Sequence, residues 1–326
     1  MKKRLWQLAQ VAFTVGVLFW LFHDAAKRET MLEALKGARW SWLLIGLAVA
    51  LVGEITGILR WQIFLQAQGI HASLTAVTRW FFIGLFFNIF LPGTTGGDLA
   101  RLYYLWRDYP QHRRGAVLTL VADRLIGLIP LILAAALSTV LNYNWLTQTP
   151  ATSGLLFSTL AFCAGMAVVI ALAFFYSGRA AIPTWMPAHE KLGRIARAWN
   201  LFTKDGVRFT WALLLSMPVL FCYYGGFYCS SRAVDAGATL GQIFSIMPIV
   251  TIITSLPISV AGLGVREGLF ERLLGDLCGT PPEVAALVSL IGFLIFTFYG
   301  VIGAVVYLCS KRMDKTQLAE METAGA

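Results

Sequence analysis

The residues best placed to do chemistry are the charged ones standing in otherwise apolar stretches. Glu54, Arg60, Arg79, Asp98, Arg101, Asp123, Arg124, Arg266, Glu267, Glu271 and Arg272 all have hydrophobic surroundings. Charge inside a membrane is costly, so each is a functional candidate by default. Asp98 and Arg101 stand three apart on one helical face, a spacing that allows them to pair. Asp123 and Arg124 are adjacent, so they point in different directions and need partners on other elements. Glu267 and Glu271 share a face at four-residue spacing, which is repulsive unless Arg101, Arg124 or a proton compensates. Arginine dominates the set. Its planar guanidinium fork matches phosphate and sheds water more readily than an ammonium.

Two of these arginines close nearly matching stretches, LPGTTGGDLAR at Leu91–Arg101 and LPISVAGLGVR at Leu256–Arg266. Both read Leu-Pro, four residues, Gly, three residues, Arg, with four identities in eleven positions. Paired Gly/Pro-interrupted segments in the two halves of a membrane protein are the best pointer to a transporter's binding site. The glycine-rich turns Thr94–Asp98 and Ser259–Gly264 precede helix starts, whose free N–H groups and positive dipole ends suit an anion. Glycine also lets a headgroup approach the backbone. The expected occupant is a lipid phosphate. The competing reading is an intrabundle salt-bridge network that holds no ligand.

Composition sets the elements that must position these groups. The chain is 58% hydrophobic and 13% charged, where a soluble domain carries about a quarter charged residues. Apolar runs near ~20 residues recur, enough to cross a ~30 Å hydrocarbon core as helices. Alternating ten-residue strands of an outer-membrane barrel are not visible. The expected fold is an all-α integral membrane protein. Spans are predicted at about 5–22, 40–66, 115–141, 153–176, 209–232 and 283–309. Between them, Leu74–Arg107 and Thr239–Asp276 each hold one helix before the Leu-Pro and a shorter one after it. The first return leg is about ten residues, or ~15 Å of helix, and the second contains Arg266, Glu267, Glu271 and Arg272. Neither spans alone, so both pairs are read as re-entrant hairpins. Two ordinary packed helices kinked by Pro and Gly are the blander alternative.

With a cytoplasmic N-terminus, the loops rich in Arg and Lys (Arg107–Arg114, Arg179–Arg208) and the tail fall inside, while Asn142–Thr152 and Leu277–Pro282 carry no Lys or Arg. Both termini are then cytoplasmic, and the two hairpins enter from opposite faces as an inverted repeat, with halves at about 40–176 and 207–309. Only Lys27–Arg39 lies on the wrong side, and it is read as a short interfacial helix. The transmembrane domain is expected to cover residues 1–310, with 311–326 a disordered cytoplasmic tail. The basic stretch Ser177–Arg208 either lies on anionic headgroups or is a solvated connector. Met1–Phe22 resembles a signal sequence but lacks a small-x-small cleavage site, so an uncleaved helix is expected.

The net charge of +9 collects in particular loops, which argues against nucleic acid as a partner. Five cysteines form no spaced pairs, so neither disulfide framework nor zinc site follows. Asp-x-Asp, Cys/His and Walker motifs are absent, and no enzyme activity, metal or cofactor is expected. Gly53-x-x-x-Gly57 reads as a helix-packing contact.

Three motifs resemble the lysylphosphatidylglycerol synthase transmembrane family, also called flippase-like domain proteins. They are Asn88-x-x-Leu91-Pro92-Gly93 with Gly96-Gly97-Asp98-x-x-Arg101, Asp123-Arg124-x-x-Gly127-Leu128, and Pro257 with Gly262-x-Gly264-Val265-Arg266-Glu267. Their order and spacing cover about residues 40–309. The resemblance implies lipid handling. In the best-known members this unit is joined to a cytoplasmic aminoacyltransferase domain and implicated in moving the modified lipid; others are associated with polyprenyl-linked sugars, hopanoids or phospholipids. Only about twenty residues follow Tyr307, so the expectation is a stand-alone member.

The expected activity is transport of an anionic or phosphate-bearing lipid across the cytoplasmic membrane. The lipid is an anionic phospholipid, a polyprenyl-phosphate-linked lipid or a hopanoid, and a lipid-synthesising enzyme is a candidate partner. A transferase using a lipid-linked donor, or its accessory subunit, is the alternative. The headgroup is expected between the hairpin tips, held by Arg101, Arg266 and the glycine-loop amides, with Asp98, Asp123 and Glu267 balancing the charge.

Overall fold

A computed structural model of the chain describes Gly16, Phe19 and residues 25–90, 96–177, 205–256 and 259–310. Among these residues there is no strand. The helices, in chain order, are α1 (Ala25–Lys36), α2 (Trp40–Ala67), α3 (Leu74–Phe90), α4 (Gly96–Asp108), α5 (Arg113–Leu146), α6 (Pro150–Ser177), α7 (Gly206–Ala233), α8 (Leu240–Ser255), α9 (Val265–Cys278) and α10 (Pro282–Cys309). Single 3-10 turns at Pro110–His112 and Val260–Gly262 lead into α5 and toward α9.

The described helices α2, α5, α6, α7 and α10 are long and apolar enough to cross a membrane, so this is an all-α, multi-pass membrane protein. They match the spans expected from about residue 40 onward. The expected first span, the Arg179–Lys204 part of the basic stretch and the tail lie outside the described residues. Lys27–Arg39 does form a helix for most of its length, α1, which buries Met31.

The four remaining helices come in two pairs. α3 has 17 residues and α8 has 16, about 25 Å each, while α4 has 13 and α9 has 14, about 20 Å each. All four fall short of a ~30 Å core. The start of α8 is written locally: Thr239 and Gln242 form a capping box, with the Thr239 N–H donating to Gln242 Oε1 at 2.8 Å. α9 begins after Gly264, whose φ of 84° favours glycine, and ends at Gly279 in the left-handed region.

Close approach between helices rests on small residues. Gly46, Ala50, Gly53 and Gly57 are buried along α2. A Cβ on Gly53 would lie 2.9 Å from Cys222 Cβ, and one on Gly57 would lie 3.0 Å from Phe81 Cζ. The glycine pair is therefore a packing contact, against α7 on one side and α3 on the other. α10 is the axis of the bundle: 56% of its apolar window is buried, against 17–33% in the other spans. α9 packs on its N-terminal half, where Ala285, Ala286 and Ser289 are fully buried. α3 packs on its C-terminal half, where a Cβ on Gly303 would run into the Phe82 carbonyl oxygen. One helix of each short pair thus packs on α10, α9 on its N-terminal half and α3 on its C-terminal half.

Candidate functional site

Midway along α10, between the two short pairs, lies a cavity of about 420 Å³, within the ~300–1,000 Å³ usual for ligand pockets. Asn88 and Ile89 reach it from the end of α3, and Ser259, Ala261 and Gly262 from the turn after α8. Arg266 enters from α9, Arg124 from α5, Glu54 from α2 and Tyr223 from α7. Phe293, Phe296 and Thr297 of α10 form its back wall.

The turn that brings α9 to the cavity is unusual backbone. Ala261 and Gly262 have φ of 51° and 74°, so two successive residues occupy the left-handed region before Gly264 does so again. That path lets Arg266 and Glu267 sit at the first turn of α9, both buried. Glu267 Oε2 accepts the Gly264 N–H at 2.5 Å, and Glu267 Oε1 accepts the Ser289 hydroxyl at 2.9 Å. Arg266 Nε donates to the same Ser289 oxygen at 3.2 Å, and its Nη2 stands 3.5 Å from Glu267 Oε1. The guanidinium lies over the Phe293 ring, 4.5 Å from its centroid. The cation beside Glu267 is therefore its own neighbour, Arg266, and not the expected Arg101 or Arg124.

The first pair is built differently. Asn88 Oδ1 accepts the Gly97 N–H at 2.9 Å, so part of the expected anion-ready amide set is already committed. A Cβ on Gly97 would lie 2.6 Å from that Asn88 oxygen, and glycine is required there for α3 and α4 to touch. Asp98 accepts from Arg124 at 2.7 and 2.9 Å and lies 3.9 Å from Arg101. Arg101 is 6% exposed and stacks over Phe81 at 4.0 Å, with Trp61 at 5.4 Å. It does not line the cavity, whereas Arg124 does. Asp123 turns the other way, as adjacency demands, and pairs with Arg60 at 2.8 Å; Arg60 also donates to Ser216 at 3.0 Å. That trio ties α2, α5 and α7 together.

Among the expected site residues, Asn88, Arg124, Gly262 and Arg266 line the cavity. Asp98 and Glu267 hold the two lining arginines, while Gly96, Gly97 and Gly264 shape the helix starts. Asp123 is drawn into a structural pair. Pro92, Gly93 and Pro257 lie outside the described residues. Sequence reasoning passed over Ser289, because a serine in an apolar helix carries no local signal. Glu54 did carry one, as a lone carboxylate in a span.

The cavity is polar in a specific way. Arg266 Nη2, Ser259 Oγ and Thr297 Oγ1 are buried without a hydrogen-bond partner among the described residues. Each such atom costs about 1–3 kcal/mol, so their clustering on one cavity points to a polar occupant. Two arginines and two under-used hydroxyls, backed by aromatic rings, can grip an oxyanion attached to an apolar body.

The family model for the lysylphosphatidylglycerol synthase TM region matches residues 7–304. A UPF0104 membrane protein of Methanothermobacter thermautotrophicus is 24% identical over 320 residues, spanning 90% of this chain and 91% of the relative. A UPF0104 membrane protein of Pyrococcus horikoshii is 26% identical over 134 residues, 40% of this chain and 38% of that relative.

Proposed function

This chain belongs to the lysylphosphatidylglycerol synthase TM region family, and on that premise we propose that it moves a phosphate-bearing, anionic lipid across the cytoplasmic membrane. One observation carries the reading. Arg124 and Arg266, delivered by different helices, face one cavity in a membrane protein, and Arg266 Nη2 has no hydrogen bond there. The phosphate binds between these two arginines, with Asn88 and the Ser259–Gly262 turn beside it. Arg101 backs the site from behind Asp98 rather than touching the lipid. The short pairs α3–α4 and α8–α9 act as two re-entrant hairpins, entering from opposite faces as inverted halves, with both termini cytoplasmic. The acyl chains stay in the bilayer, so only the headgroup needs a polar path.

The test is reconstitution in liposomes with a fluorescent anionic lipid and neither ATP nor a second substrate. The wild-type protein should redistribute label between leaflets. Arg124→Ala and Arg266→Ala should each slow it, and the double variant should lose less than the sum, because groups sharing a ligand are non-additive. Leaflets that stay unmixed for every anionic lipid tried, together with a lipid of new mass when a lipid-linked donor is added, would replace the transporter with a transferase.

A further inference from the structure

Glu54 is the carboxylate of the cavity, and no cation is paired with it in direct contact. It lies midway along α2 and lines the cavity with Arg124 and Arg266. Among the described residues it makes no hydrogen bond and no ion pair. Each lining arginine, by contrast, has its own carboxylate: Asp98 at 2.7 Å from Arg124 and Glu267 at 3.5 Å from Arg266. Asp123 is held by Arg60.

The charged and titratable groups around Glu54 come from five helices. Arg101 and Asp98 lie on α4, Arg124 on α5, Tyr223 on α7, Arg266 with Glu267 on α9, and Tyr299 on α10. The lining residues from α3 and α8 are uncharged: Leu85, Asn88 and Ile89 on one, Thr251, Thr254 and Ser255 on the other. Tyr299 is committed elsewhere, donating to the Leu47 carbonyl at 2.6 Å. With Glu54 ionised, the cations Arg60, Arg101, Arg124 and Arg266 are matched by Asp98, Asp123, Glu267 and Glu54. The set is neutral. An anionic headgroup would then enter a neutral, poorly solvated site facing a bare carboxylate. One proton on Glu54 removes the repulsion and restores the balance.

We propose that Glu54 is a proton site coupled to the headgroup site, so that an anionic lipid and one proton bind together and cross together. This rests on the reading that the cavity takes a lipid phosphate. The proton comes from water on the loading side, sits on a carboxylate oxygen of Glu54, and returns to water on the other side as the lipid leaves. No bond in the lipid is made or broken.

Linkage sets the sign. Where Glu54 is ionised in the free protein and protonated in the complex, each fall of one pH unit tightens lipid binding by up to about tenfold. The probe is phosphatidylglycerol with a fluorescent acyl chain, titrated against purified wild-type and Glu54→Gln protein across pH. The amide has the shape and charge of the protonated acid. Glu54→Gln should therefore bind at neutral pH as tightly as wild type does in acid, with a flat pH profile. In liposomes, a pH gradient should accelerate lipid movement toward the alkaline side for wild type and not for Glu54→Gln. A second measurement uses no variant: adding the lipid to wild-type protein in weak buffer should take up close to one proton per lipid bound.

Weaker binding by Glu54→Gln at every pH would overturn the proposal and make Glu54 a partner for a headgroup amine. An unchanged pH slope in the variant, or no proton uptake by wild type, would also overturn it. If wild type moves lipid equally with and without the gradient, the proton site falls and the transport reading stands. If wild type neither binds nor moves the probe or any other anionic lipid, the transport reading itself falls.

Discussion

Ser289→Ala tests the construction of the site most directly. Ser289 is fully buried on α10, and its hydroxyl is shared: it donates to Glu267 Oε1 at 2.9 Å and accepts from Arg266 Nε at 3.2 Å. Alanine keeps the Cβ and the helix and removes only that oxygen. Hydrogen bonds between membrane helices are worth about 0.6 kcal/mol on average and about 1.7 at most. Two lost bonds therefore cost about 1–3 kcal/mol. The upper half of that range applies here, since Arg266 Nε is left buried with no acceptor and Nη2 already has none. We expect about 2 kcal/mol. Glu267→Gln should cost more, about 3–5 kcal/mol, because it strips a buried guanidinium of its counter-charge. Ser289 and Glu267 are bonded to each other, so the double variant should cost less than the sum. The assay is reversible unfolding in mixed micelles as the sodium dodecyl sulfate fraction rises, followed by leaflet exchange on the folded protein. Ser289→Ala should also slow lipid movement, because Arg266 loses the bond that aims it. A stability within about 0.5 kcal/mol of wild type, the range of an inert substitution, would refute the reasoning. So would a variant less stable than Glu267→Gln.

Asp98→Asn loosens the half-exposed Arg124 pair, worth about 0.2–1 kcal/mol, and also takes the carboxylate at 3.9 Å from buried Arg101, so about 2–4 kcal/mol should be lost in micelle unfolding. Lipid movement should fall as well, and a stability within about 0.5 kcal/mol of wild type would mean that Arg101 does not depend on Asp98. Arg60→Gln leaves Asp123 half of a broken, largely buried pair, so about 3–5 kcal/mol and much of the folded yield should be lost. Phosphatidylglycerol affinity of the surviving fraction should hold, and a clear drop would return Asp123 to the headgroup site. Gly303→Ala pushes a Cβ into the Phe82 carbonyl and should cost about 1–3 kcal/mol by forcing α3 from α10, read as a lowered thermal midpoint in detergent. An unchanged midpoint would mean that the helices part without cost.

Much of the architecture was legible from local pattern. Apolar runs near the bilayer thickness read as helices because a bilayer leaves the backbone few other ways to satisfy its polar groups. The short legs around the Leu-Pro signatures were visible too, since length alone shows that 13–17 residues cannot span. Adjacency required Asp123 and Arg124 to part company, and they do. Which partner each found was not legible. The choice of Arg60 for Asp123, and of Asp98 for Arg124, depends on how α2, α4 and α5 are rotated about their axes.

The sequence by itself determined the membrane class, the helices, and the short list of charged groups that a bilayer would not tolerate without a use. Tertiary structure decided how those groups are divided between scaffold and cavity. Arg101 and Arg266 occupy matching places in two similar stretches, yet one is folded against Phe81 and the other lines the cavity. Asn88, marked by its motif, became the acceptor of the Gly97 N–H, and Ser289, with no distinguishing neighbours in sequence, became the bond that aims Arg266. Glu54 was left facing the cavity without a direct ion pair. The physical reason is that a charge's cost is local and readable from composition, whereas its compensation comes from distant helices and exists only once they pack.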